Sequence, residues 1–143
     1  MTINVTAYAC SLNSSNITVP LGDTKVSQFK TIGSTSVQND FNVSMNCDAS
    51  ARVNVSMSAI ANTDVSSNDV IALTGAGATD VASGLGVQIL YNGDALKLNN
   101  NIVLKTSAGG QETFSFIARY YQTKATVTPG KANAVATLNL TYQ

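Results

Sequence analysis

Histidine and tryptophan are absent from this chain, glutamate occurs once, at Glu112, and only 11% of its 143 residues are charged. Each shortage excludes something. Without histidine there is no Ser-His-Asp or Cys-His nucleophile, and most zinc centres lose a usual ligand. The aspartates stand singly, mostly beside Asn, Gly or Ser, where they read as turn residues and not as a paired general acid and base. Net charge is zero and the pI is about 6.0, which leaves no basic footprint for nucleic acid or an anionic membrane. No apolar run approaches the roughly 20 residues that span a bilayer, and no charged start leads into an apolar segment of signal-peptide type. Met1 directly before Thr2-Ile3-Asn4-Val5 reads as an artificial start on an already processed chain. No catalytic residue, cofactor or metal site is expected, so the chain does not read as an enzyme.

Two cysteines are present, Cys10 and Cys47. In a reducing compartment they read as two buried thiols. In a charge-poor chain rich in Thr, Ser and Asn they read better as a disulfide, which implies an oxidising compartment. Closing a loop of that length stabilises a fold by about 4 kcal/mol on the chain-entropy estimate.

What the chain has in abundance is alternation. In the last stretch Ala134, Ala136, Leu138, Leu140 and Tyr142 fall on every second position with mostly polar residues between them, the pattern of a strand with one buried face. Ile3, Val5 and Ala7 alternate into Cys10, and Ile17, Val19 and Leu21 alternate again. Phe41 to Cys47, Arg52 to Ala59, Val87 to Tyr91 and Phe114 to Tyr120 add longer strands. Asp48-Ala49-Ser50 has the length of a hairpin connection, and Asn92-Gly93 is a strong hairpin signal because both central residues of that turn need positive φ. Ala95 to Leu98 reads as the return strand. Val26, Phe29 and Ile32 have helical spacing, but Gly33-Ser34 stops the pattern at once, and the segment reads as irregular edge structure. Gly75-Ala76-Gly77 after an apolar run lacks the third glycine and the following helix of a dinucleotide site, so a surface loop is expected. The six N-x-[ST] triplets, at Asn4, Asn13, Asn16, Asn42, Asn54 and Asn139, follow from composition.

Seven to nine short strands, frequent turn signals and no convincing helix predict an all-β, immunoglobulin-like sandwich over residues 1–143 as a single domain. A chain of this size buries roughly 68 to 70% of its unfolded surface, enough for a core.

Several segments resemble the pilin subunits assembled by the chaperone-usher pathway of Gram-negative bacteria, in the type 1 fimbrial branch. They are Cys10 and Cys47 at matching spacing, Gly84-Leu85-Gly86-Val87-Gln88-Ile89-Leu90, Phe116-Ile117-Ala118-Arg119-Tyr120-Tyr121, and Thr128-Pro129-Gly130-Lys131-Ala132-Asn133-Ala134 running into a strand with penultimate Tyr142. The resemblance implies an incomplete sandwich, one strand short, with a groove beside the final strand for a donor strand. Ala134, Ala136, Leu138, Leu140 and Tyr142 would form one wall of the groove and Ile17, Val19 and Leu21 the other. It implies a periplasmic chaperone that lends a strand, an outer-membrane usher where a neighbouring subunit's N-terminal segment replaces it, and a place in a fimbrium at the cell surface. Family members carry a longer segment before the first cysteine, whereas nine residues precede Cys10 here. Ile3 and Val5 are therefore either the remnant of a donor strand or simply the first strand, in a truncated pilin or in the pilin domain of a tip adhesin. On this reading one neighbour of the last strand is missing from the chain, and pairing of both its edges by the chain's own backbone is the observation that overturns the open groove. The alternative function is a carbohydrate-binding, lectin-like adhesin domain; its usual aromatic platform is thin here, since alternation puts Tyr120 inward and leaves Tyr121 alone.

Overall fold

A computed structural model describes residues 1–7, 10–12, 16–19, 25–36, 38–47, 51–107 and 110–142. Among these, the strands are β1 (Thr2–Ala7), β2 (Cys10–Leu12), β3 (Asn16–Thr18), β4 (Asn39–Cys47), β5 (Ala51–Ala59), β6 (Leu85–Tyr91), β7 (Asp94–Ala95), β8 (Ile102–Ser107), β9 (Gly110–Gln122) and β10 (Val135–Tyr142). They form two five-stranded sheets, one in the order β3-β1-β10-β5-β8 and the other β2-β4-β9-β6-β7. The fold is an all-β, immunoglobulin-like sandwich.

Alternation decides which side chains meet between the sheets. Along β9, Glu112, Phe114, Phe116, Ala118, Tyr120 and Gln122 are buried while their neighbours face outward. Phe41, Val43 and Met45 of β4 and Val53, Val55 and Met57 of β5 do the same. Phe116 is the centre of the packing: its ring lies 5.5 Å from that of Phe41 and 5.3 Å from that of Tyr91, aromatic contacts that add to simple area burial. Strand β6 is buried on both faces, because Val87 and Ile89 face the core while Gln88 on the outer face accepts hydrogen bonds from Arg119 Nε and Nη2 at 3.0 and 2.9 Å.

Asn92 and Gly93 have φ of 54° and 86°, the left-handed pair that the tight β6–β7 hairpin requires. Gly86 is needed for a different reason. A Cβ there would overlap Val70 Cγ1 and come within 2.9 Å of the Ile71 carbonyl oxygen. Ile71 exchanges backbone hydrogen bonds with Val87, so the 60–84 connection lies directly on this strand.

Four local expectations change. The first alternating run is two strands, β1 in one sheet and β2 in the other, since the chain crosses between sheets before Cys10. Strands β4 and β5, on either side of Asp48-Ala49-Ser50, belong to different sheets and do not form the expected hairpin; the three residues themselves lie outside those described. The return strand stops at Ala95; beyond it Leu98 bridges Met57 of the opposite sheet instead of continuing beside β6. Val26–Gln28 closes a single 3-10 turn, which the three-residue spacing permits and which ends where Phe29 turns extended, at φ −102° and ψ 103°.

Gly86→Ala is expected to cost about 1 to 3 kcal/mol by overpacking. Urea unfolding should show the midpoint lowered with an unchanged slope; an unchanged midpoint means the 60–84 connection yields freely.

Candidate functional site: the slot beside the last strand

Strand β10 brings Ala136, Leu138 and Leu140 to the core face, with Ala134 just ahead of it, each no more than 3% exposed. On one side it pairs antiparallel with β5, from Ala136 opposite Ala59 to Tyr142 opposite Val53. On the other side it pairs with β1, and β1 in turn pairs with β3. Strands β3 and β10 are thus the two borders of one slot, and residues 2–7 of the same chain lie in it.

The expectation that a neighbour of the last strand is missing from this chain therefore does not hold. Both edges of β10 are paired by the chain's own backbone, and the interior beneath is closed. The physical reason lies in the first residues. Ile3 and Val5 repeat the alternation that an inserted strand needs, and they are buried to 0% and 3% exposure. Six register pairs join β1 to β10, among them Ile3 with Ala136, Val5 with Leu138 and Ala7 with Leu140. Three more join β1 to β3, with Ile3 opposite Ile17. The ladder is extended where Thr2 N–H donates to the Ala134 carbonyl at 3.0 Å and Val19 N–H donates to the Met1 carbonyl at 2.9 Å. The Met1 amino group donates to the Val19 carbonyl at 3.1 Å. Ile3 and Val5 belong to the first strand, and that strand sits in the slot.

Of the residues expected to line the slot, Ala136, Leu138 and Leu140 border β1 on β10, with Ala134 just ahead of it. Ile17 is half-buried and Val19 buried on the β3 side. Small Ala136 stands opposite Ile3, so a short side chain on β10 faces a bulky one on the inserted strand. Leu21 lies outside the described residues. Tyr142 pairs through its backbone with Val53, and its side chain is not among those described. Cys10 is opposite Cys47 in the β2–β4 ladder; the side chains of both lie outside the described residues. Sequence reasoning passed over Met1, which continues the every-second-residue pattern of Ile3 and Val5 and packs against the core. That periodicity was the available signal.

One feature of the slot is unusual. Among the strand pairings described, β1 with β10 is parallel and the others are antiparallel.

The family model described as fimbrial protein matches residues 1–143. This chain is a member of the fimbrial protein family. It is 30% identical over 141 residues to the "Fimbrial subunit type 1" of Salmonella typhimurium, covering 96% of this chain and 76% of that one. It is 36% identical over 137 residues to "Long polar fimbria protein A" of Salmonella typhimurium, covering 93% and 75%. The crystal structure of the P pilus rod subunit PapA superposes with a TM-score of 0.76 over 95% of this chain and all of that one, at 21% identity, which speaks for the fold. The fimbrial chain is a structural pilus subunit and not an enzyme, and its place is in a fimbrium on the outside of the cell, among neighbouring subunits. No helix among the described residues is long and apolar enough to cross a membrane.

Ile3→Ala in the fimbrial subunit is expected to cost about 2 to 5 kcal/mol, since it empties a fully buried position. The measurement is equilibrium urea unfolding; a cost below about 0.5 kcal/mol, the range of neutral surface changes, means that β1 contributes little to the native state.

Proposed function

We propose that the slot between β3 and β10 is where this subunit receives a strand from a partner, first a periplasmic chaperone and then, at an outer-membrane usher, a neighbouring subunit. Strand β1 is the occupant that leaves to let the partner in. The observation that carries this reading is the identity of the strand in the slot. It is the first strand described, it borders the last one, and among the strand-to-strand pairings described it is the parallel partner.

The energetics suit an exchange. A sandwich cannot leave one edge of a buried strand and the apolar row beneath it open to water, because unpaired backbone groups and exposed side chains both cost free energy. Ile3 and Val5 cover that row at about 1.5 to 3 kcal/mol each. A partner strand that presents more or larger apolar residues at alternate positions covers it better. Strand addition of this type is the known mode of chaperone–pilin complexes and is applied to this chain by family membership. Several such contacts along one strand hold neighbouring subunits together under shear.

The cross-strand position of Cys10 and Cys47 supports a disulfide between them, since directly opposite residues have Cα atoms about 4.5 to 5.5 Å apart, within the range a disulfide accepts. Oxidation in the periplasm, on the way to the cell surface, accords with this. The lectin reading receives less support: Tyr121, the ring it would need exposed, is only partly so.

The test empties the slot and refills it. Ile3→Asp with Val5→Asp should lower the melting temperature by roughly 10 to 20 °C, given the lost burial and the cost of placing charges in the core. A synthetic peptide of residues 1–9 added in excess should recover much of that loss in the double variant and change the wild type little. Absence of any recovery, with the variant still folded, sinks the exchangeable slot.

A further inference from the structure

We propose that the end of the sandwich where β10 begins is the seat for the body of a second copy of this chain, with Ile60 and the cavity beside it as the anchor. This rests on the slot reading above and adds a contact outside the slot.

The direction of the incoming strand fixes which end is used. Strand β1 meets β10 over six parallel register pairs and β3 over three antiparallel ones. A donor running the other way makes the longer ladder antiparallel and confines the parallel pairing to the short strand. Antiparallel pairing is slightly more stable per residue. Such a donor ends where β10 begins, so whatever follows it in its own chain emerges there. In this fold the residues that follow the first segment are those of β2, and Cys10 lies opposite Cys47 and, through it, Gly110, at the far end of the sandwich. The far end of one copy is therefore delivered to the near end of the next. That contact is head to tail and does not close on itself, the geometry of an open filament.

The near end is shaped to be covered. Ile60, directly after the Ala59 that pairs with Ala136, is 78% exposed. Val135, at the start of β10, is 48% exposed, and Ile32, beside the Gly33 whose N–H donates to the Gln122 carbonyl, is 58% exposed. Together they are three of the five large apolar residues left in solvent among those described. A cavity of about 380 Å³ opens next to Ile60, walled by Ala72, Leu73, Ala76, Leu85 and Lys124. Two pairs of charges at this end are matched locally: Lys124 Nζ lies 3.6 Å from Asp64 Oδ1, and Lys131 Nζ lies 3.2 Å from Asp80 Oδ2, while Lys30, two residues before Ile32, is exposed. Around Ile60 and its cavity a second copy thus meets apolar surface beside charges that are already paired.

The experiment uses Ile60→Lys, with Ile60→Leu and Val103→Lys as controls; Val103 is 55% exposed on the edge strand β8, away from this end. Each full-length variant is produced in cells together with its assembly partners, and surface fimbriae are counted by electron microscopy. In parallel, Ile60→Lys is placed in the Ile3→Asp, Val5→Asp background and its response to the peptide of residues 1–9 is read as a melting shift. The expected result is a fall in fimbriae of about tenfold or more for Ile60→Lys, from the lost burial of one side chain at the contact, with both controls unchanged and the peptide response kept. Wild-type fimbriae with Ile60→Lys overturn the seat and leave the slot standing. An equal fall with Val103→Lys, or a lost peptide response, reassigns the defect to folding and overturns it too. A peptide that fails even without Ile60→Lys defeats the slot reading, and the seat with it.

Discussion

The whole molecule depends on both edges of β10 being hydrogen-bonded. This strand carries four of the most deeply buried small and medium apolar residues of the chain on its core face, counting Ala134 at its entry. A strand so buried cannot leave a row of N–H and C=O groups unpaired, since each orphan costs as much as a lost hydrogen bond in a place water does not reach. Strand β5 satisfies one edge. The other needs a strand that β3, which ends at Thr18 and reaches only part of the way, does not supply. Segment 2–7 answers that need, and the two sheets close over a continuous core.

A closed core made in this way differs from one closed by a strand in the middle of a chain. Among its described side chains, β1 contributes the deeply buried Ile3 and Val5, and it runs parallel to its longer neighbour. It completes the sandwich well enough for a folded subunit, and a strand with a fuller apolar row in the opposite direction would complete it better. On the proposed function, the same requirement that fills the slot inside one subunit is also the means of linking subunits, which suits a protein whose role is structural.

Much of the fold was legible before any coordinates. The buried faces of β4, β5, β9 and β10 follow from apolar residues on alternate positions, and Asn92-Gly93 announced its hairpin, because these signals depend only on strand geometry and on which residues accept positive φ. The alternating runs that flank β1, with Ile17 and Val19 on one side and Ala136, Leu138 and Leu140 on the other, could also be picked out as strands from the residues alone. What sequence reasoning misjudged were features decided by the partner and not by the segment. Asp48-Ala49-Ser50 has hairpin length, yet its flanking strands join different sheets. Ile3 and Val5 read as a first strand more readily than as the remnant of a donor strand, but alternation says that one face is buried and not what buries it.

Residue order alone determined that this is an all-β chain without histidine, that its last strand buries one face, and that its first segment can bury one too. It could do so because strand periodicity, turn chemistry and the absence of histidine are local properties. Only the tertiary structure decided that the first segment lies against the last strand, in parallel register with Ile3 beside Ala136. That pairing joins residues more than a hundred positions apart, and it is selected by the vacancy left when all other strands have found their neighbours, a quantity that no single stretch of sequence contains.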